Sequence, residues 1–225
     1  KLNALTVALF RELRAHIIAL KKDDSIGCVI LRGAGKCFSA GHDLGDIAEG
    51  ESVPSPGWHS ETLRLMEKLP QPVIAAVHGH CYTGALEVAL AADFIVAAES
   101  AKFADTHAKW ALTPVWGMSQ RLPRRVGIAT AKKLMFTAET VRADEALRIG
   151  LCEAIYPTET FEADCDALAR QILINSAFSH AANKRLLEAT DSRAIDAGLQ
   201  WEITETEGVG PDMNARISAF TGKSK

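Results

Sequence analysis

Apolar positions recur along this chain with more than one spacing, and each spacing indicates an element. Phe10, Leu13, Ile17 and Leu20 lie three and four apart, which predicts a first helix over about 6–21. The continuous apolar runs 26–31 and Val73–Val77 are too short for helices and read as buried strands, the second fenced by Pro70 and Pro72. Gly79 breaks that strand. From Gly84 the chain becomes Ala/Leu-rich until just before Asp93, which predicts a helix. Short strands are expected at 94–97 and 151–156, the latter broken by Pro157. Helices are expected at about 61–69, 120–126, 129–136 and 143–149, with Gly150 placed for a left-handed C-cap. Residues 101–114 read as a further turn of strand-and-helix type, carrying His107 and Trp110. Residues 45–57 mix Gly, Pro, Ser and acidic side chains without periodicity and read as a mobile loop beside the site. Beyond Thr158 every segment reads as helix: about 160–174, 177–189, 193–207 and 213–220. Strands alternating with helices, then a helical tail, imply an α/β fold with appended helices.

Composition narrows the function classes. The 225 residues are 48% hydrophobic, enough for one sizeable core with helices added to it. A net charge of −3 gives no general pull towards nucleic acid or a membrane. Five cysteines, odd in number and without CxxC spacing, suit free thiols in a reducing compartment. No run reaches transmembrane length and no signal peptide is visible. A cytoplasmic location is therefore expected, with a mitochondrial matrix location left open because the chain starts at Lys1 without an initiator Met.

Two turns carry the candidate chemistry. The strand–turn–helix around Gly84 leaves backbone N–H groups free at a helix N-terminus, where negative charge is favoured. Glu87 sits in the first turn of that helix, either complementing the dipole or holding a carboxylate beside an N–H donor. Gly33-Ala-Gly-Lys-Cys-Phe-Ser-Ala-Gly-His-Asp-Leu44 is a second glycine-rich turn at a strand end. Two such turns can each offer one N–H to the same oxygen, forming an oxyanion hole suited to a carbonyl that gains charge.

The second turn, together with Pro72-Val-Ile-Ala-Ala-Val and Gly84-x-x-Glu-x-Ala-Leu-Ala-x-Asp93, resembles the crotonase (enoyl-CoA hydratase/isomerase) superfamily. Ala101-Lys-Phe103, Gln120-Arg-Leu-Pro-Arg-Arg-Val-Gly127 and Ala143-Asp-Glu-Ala-Leu-Arg-Ile-Gly-Leu151 extend the likeness over nearly the whole chain. The resemblance implies a ββα spiral core over 1–157, with one or two strands ahead of Lys1, and a C-terminal helical region over 158–225 that builds a homotrimer or a hexamer of two trimers. It implies an acyl-CoA substrate, coenzyme A being part of that substrate and no separate cofactor being needed. By motif match the oxyanion donors are the backbone N–H groups of His42 and Gly84. Glu87 falls on one catalytic glutamate of the hydratases.

The chain departs from the family where the second glutamate belongs: His107 stands there, and Thr106 stands for the usual proline. His107 is open to three readings: an acid/base, a polar wall of an altered acyl pocket, or the mark of a site that binds acyl-CoA with little chemistry. Thr83 and Ala85 replace glycines around Gly84 and would narrow the pocket or shift the acyl chain. Trp110, Trp116, Met118 and Trp58 suggest large apolar walls, with core packing as the alternative for Trp110 and Met118. The CoA arm is expected past Leu2, Ala40, Asp43 and Leu44, with Lys36, Lys184 and Arg185 as phosphate contacts or plain solvated charge. His78-x-His80 has a spacing that zinc could use, but the resemblance and the turn at Gly79 speak against metal.

Enoyl-CoA hydration, with Glu87 as principal acid/base and His107 assisting, is the expected activity. Enoyl-CoA isomerisation, acyl-CoA decarboxylation or hydrolysis, and acyl-CoA binding without turnover are the alternatives.

Overall fold

The computed structural model describes residues 2–190 and 192–222. Helix α1 (Val7–Leu20) opens the chain, its first turn capped by the Thr6 hydroxyl, which accepts from the Leu9 N–H. Strands β1 (Val29–Arg32), β2 (Val73–Val77), β4 (Phe94–Ala98) and β7 (Ala154–Tyr156) form a parallel sheet in the order β1-β2-β4-β7. Strands β3 (His80–Tyr82), β5 (Lys102–Ala104) and β6 (Val141–Arg142) form a second sheet in the order β3-β5-β6. Chain order explains the pair. β2 turns at Gly79 into β3, and β4 turns at 99–101 into β5, so successive turns of the chain add one strand to each sheet. Helix α4 (Gly84–Leu90) then follows β3, and a short 3-10 turn (His107–Trp110) follows β5. This is the mixed α/β architecture that the sequence predicts.

Every residue of β2 is buried, because the strand has sheet neighbours on both sides and helices against it. The main core gathers Phe10, Leu63, Met66, Leu86, Ile95, Phe103, Met118 and Leu122 around α4. A second core lies on the sheet's other face, where Ile74, Ala76, Val96 and Ala98 meet Phe161 and Cys165 of α8 (Phe161–Leu173). Helices α3 (Trp58–Glu67), α5 (Met118–Val126), α6 (Ile128–Thr137) and α7 (Ala143–Arg148) enclose the first core. Helices α9 (Ala177–Glu188), α10 (Ile195–Glu205) and α11 (Met213–Thr221) complete the chain. All five cysteines are free thiols. Among the described residues no helix is long and apolar enough to cross a membrane.

Three expectations need correction. β1 starts at Val29 and not at 26, because Asp23 folds 23–26 into a turn, accepting from the Ser25 N–H and hydroxyl, and pairing begins only where Val29 N–H reaches the Pro72 carbonyl. β7 starts at Ala154 and not at 151, because the Leu151 and Cys152 N–H groups turn back to the Ala146 carbonyl at the end of α7. Residues 45–57 are not all loop: α2 (Leu44–Glu49) forms there, capped by Asp43, whose Oδ1 accepts from the Gly45 and Asp46 N–H groups. At six residues with none buried, α2 is too short to show a period.

Candidate active site

The turn from 34 to 43 is stitched to both the N-terminal segment and β3. Phe38 and Ser39 donate to the carbonyls of His78 and His80, and Tyr82 N–H returns to Ser39. Asn3, which sequence reasoning missed, pins the same turn: its amide donates to the carbonyls of Ala34, Cys37 and Phe38. Leu5 N–H donates to the Gly41 carbonyl at 2.8 Å, and Asp43 N–H donates to the Leu5 carbonyl at 3.1 Å. In a parallel bridge of that kind the intervening N–H, here that of His42, faces the other way. It faces towards Gly84: a Cβ placed on Gly84 would lie 3.3 Å from the His42 nitrogen. Gly84 opens α4, so its N–H has no acceptor within the helix. Among the described residues neither amide has a backbone acceptor. Two unsatisfied donors thus meet at one spot, in a gap that closes if either neighbouring glycine gains a side chain. Gly41, at φ 102°, would drive a Cβ to 2.5 Å from the Tyr82 carbonyl oxygen.

Between them stands a strained residue. Thr83 has φ 52° and ψ −109°, a region that β-branched side chains avoid at a cost of about 1–3 kcal/mol. Neighbours hold it there. Its N–H donates to the Ala104 carbonyl at 2.8 Å, its hydroxyl lies 2.5 Å from that of Thr106, and Thr106 N–H donates back to it at 3.1 Å.

Glu87 projects from the first turn of α4 and is 1% exposed. One carboxylate oxygen accepts from the backbone N–H groups of Trp116 and Met118, at 3.0 and 2.9 Å. The other lies 3.9 Å from Nε2 of His107, a gap too long for a hydrogen bond and short enough for one small atom to touch both. Burial pushes the Glu87 carboxyl above the ordinary glutamate range, against the downward pull of the two amides and of His107. Asp105, also missed, holds His107: its Oδ1 accepts from Nδ1 at 2.5 Å and from the His107 N–H at 3.2 Å. A carboxylate only accepts, so Nδ1 carries the proton and Nε2 presents a lone pair to Glu87 while the ring is neutral. The other Asp105 oxygen is buried without a partner, so the carboxylate is committed to this imidazole. The spacing Asp-x-His was the signal for it.

These groups share one cavity of about 590 Å³. His42, Thr83, Gly84, Glu87, Thr106 and His107 line it, together with Ala40, Leu44, Trp110 and Trp116. Trp110 is 54% exposed and so stands on the rim, not in the core. Met118 is fully buried core that contributes only its N–H, and Trp58 packs on Phe10 and His59 away from the cavity. Leu2 and Asp43 do not line it; Leu2 accepts the Ala40 N–H through its carbonyl, and Asp43 caps α2. Lys184 is not free for a phosphate: it binds Asp93 at 2.6 Å and the Gln71 carbonyl at 3.0 Å, while Arg185 pairs with Glu207. His78 binds the Gly35 carbonyl, and among the described residues no group of three His, Cys, Asp or Glu is arranged to hold a metal ion.

A thioester carbonyl at the two amides would place its neighbouring carbons beside Glu87 and His107. The arrangement can polarise a carbonyl and move a proton near it. A family model described as enoyl-CoA hydratase/isomerase matches residues 1–218. A short-chain-enoyl-CoA hydratase of Clostridium acetobutylicum is 32% identical, covering 100% of this chain and 88% of its own length. A crotonyl-CoA hydratase of Syntrophomonas wolfei is 32% identical over 94% of this chain and 80% of its own. The crystal structure of an enoyl-CoA hydratase from Bacillus anthracis superposes with a TM-score of 0.91 at 34% identity, covering 98% of this chain and 88% of that one. On fold, site and sequence together, the chain belongs to the enoyl-CoA hydratase/isomerase family, the crotonase superfamily.

Proposed function

We propose that the protein hydrates 2-enoyl thioesters of coenzyme A. The observation that carries this reading is the single ionisable side chain of α4, Glu87, facing an Asp-held imidazole across 3.9 Å, beside two unpaired amides. In this account the thioester oxygen accepts from the His42 and Gly84 N–H groups, and a water sits between Glu87 and His107. Glu87 takes a proton from that water as its oxygen bonds to the β-carbon. The electron pair of the double bond moves to the α-carbon and, through the carbonyl, onto the oxygen held by the amides. Glu87 then returns its proton to the α-carbon. His107 accepts the water's second hydrogen bond and orients it; Asp105 keeps the tautomer that can do so. A base whose pKa is raised towards the working pH suits both halves of that exchange.

Leu2, Ala40, Asp43 and Leu44 are assigned to the CoA arm on the family pattern, and Thr83, Thr106, Trp110 and Trp116 to the acyl pocket. Exposed apolar residues on α10 and α11 support assembly into trimers or hexamers. Free cysteine thiols suit a cytoplasmic setting.

Incubation with crotonyl-CoA tests the activity. The expected product is heavier by one water, with loss of the conjugated-thioester absorbance. Binding of crotonyl-CoA without that product at any pH would contradict the reading. Conversion of a β,γ-enoyl-CoA to its conjugated isomer would instead place the enzyme with the isomerases of its family.

A further inference from the structure

Beside the cavity, reached through its lining residue His42, stands a second carboxylate–imidazole pair whose side chains the hydration step does not use. Glu51 follows the glycine that ends α2 and is carried by the segment between α2 and α3. Its Oε1 makes a short hydrogen bond to Nε2 of His42, and its Oε2 lies 3.6 Å from Nε2 of His59. His59 Nε2 is buried and has no hydrogen-bond partner, and this carboxylate faces it as an ion-pair partner just beyond hydrogen-bond reach. Glu51 is itself only 15% exposed on its side chain, and burying a carboxylate is unfavourable unless its oxygens are engaged.

The two imidazoles grip one indole. Trp116 lies 4.6 Å from the His42 ring and 4.7 Å from the His59 ring, nearly parallel to the latter, with Phe10 edge-on behind. The same indole fills the space where a Gly84 side chain would be: a Cβ there would fall 2.5 Å from its Cζ3. Its backbone N–H holds Glu87. Glu51, His42, His59 and Trp116 therefore form one packed block behind both unpaired amides.

We propose that Glu51 is a positioning residue: the Leu5 bridge sets the direction of the His42 N–H, and Glu51, by fixing the His42 imidazole against Trp116, holds that N–H and the Gly84 N–H in register at the substrate carbonyl. The chemistry favours holding over proton transfer. An unpaired carboxylate beside developing negative charge would oppose it, whereas one engaged by an imidazole N–H has its field partly offset and fixes that ring's rotamer. This inference rests on the thioester reading above but not on hydration itself.

Glu51→Ala and Glu51→Gln test it, with trans-cinnamoyl-CoA as a bound chromophore and crotonyl-CoA as substrate. Polarisation of a conjugated carbonyl by the two amides shifts its absorbance to the red, and that shift is read on the bound thioester alone. Glu51→Ala is expected to shrink the shift and lower kcat by about 10- to 100-fold, with KM within about 3-fold. The Gln oxygen can still accept from His42, so Glu51→Gln is expected to restore the shift and stay within about 3-fold of the parent. Circular dichroism and thermal unfolding establish that both variants fold; should the Ala variant not fold, the Gln variant still decides. An unchanged shift and kcat in Glu51→Ala would overturn the proposal, as would Glu51→Gln losing the shift, or a parent protein that binds the thioester with no shift at all. A parent that shifts the chromophore but hydrates nothing overturns the hydratase reading and leaves the clamp standing.

Discussion

Helix α4 and helix α10 differ in every respect that matters to the site. All seven residues of α4 are buried, whereas α10, with α9 and α11, buries none of its residues. The composition of α4 explains the contrast: Gly, Ala, Leu and Val leave nothing that needs water except Glu87. A lone carboxylate in such a helix is costly unless its oxygens are engaged, and the two amides that engage one of them leave the other facing the cavity, which makes Glu87 the candidate for chemistry. Along α10, Ile195, Leu199 and Ile203 lie exposed at helical spacing, and Phe220 of α11 is 93% exposed. One region is enclosed by its own chain; the other offers an apolar face that stays uncovered among the described residues.

The largest effect should come from the enclosed region. Leu86→Ala removes a 2% exposed side chain beside Glu87 and should cost about 2–5 kcal/mol in denaturant unfolding, by lost transfer energy and a residual cavity. A cost under about 1 kcal/mol would mean that α4 is less tightly enclosed than its burial indicates. Next comes Asp105→Asn. The amide can present its N–H to His107 and stabilise the wrong tautomer, so kcat for crotonyl-CoA should fall by about 10- to 100-fold with folding intact.

A smaller effect concerns pH. Burial lowers the His59 pKa, with Glu51 pulling it up and His42 pushing it down. The unfolded chain then binds more protons than the folded one below the ordinary imidazole value of 6.5. Stability from this group is complete above that value and is lost as pH falls from it through the lower folded pKa. His59→Phe keeps the stack and should flatten that limb of a melting-temperature profile. Smallest is Ile203→Ser on α10, expected to change unfolding of the isolated chain by less than about 0.5 kcal/mol. Sedimentation of the same variant sharpens the contrast: loss of an assembly that the parent forms would identify α10 as covered in the oligomer.

The enclosed region was also the legible one. Val73–Val77 was read to the residue, since a short apolar run between prolines has few other outcomes. Gly84 and Glu87 were read from their spacing, and His107 was placed by the family pattern. What sequence could not supply was contact made through the fold. Glu51 sits in a segment without periodicity and reaches His42 only because α2 folds the chain back. Asn3 pins a turn more than thirty residues away. The strained φ of Thr83 has no composition signal, because the residue that occupies it is one that disfavours it. Asp105 was within reach, two residues before His107, but a pair spaced that closely usually serves a turn.

The central claim is that Glu87 moves the proton, and one paired measurement tests it: loss of crotonyl-CoA absorbance and binding of crotonyl-CoA, in the parent protein and in Glu87→Gln. The amide keeps an oxygen for the Trp116 and Met118 N–H groups, so the fold should survive. Because burial raises the Glu87 pKa, its stability contribution is complete below the ordinary value of 4.5 and is lost as pH rises from there through the folded pKa, so the variant, which never ionises, should melt no lower than the parent at neutral pH. The account predicts that hydration falls by about a thousandfold or more while binding changes by less than about threefold. Hydration persisting in Glu87→Gln within about tenfold of the parent would contradict it and move the proton transfer to His107.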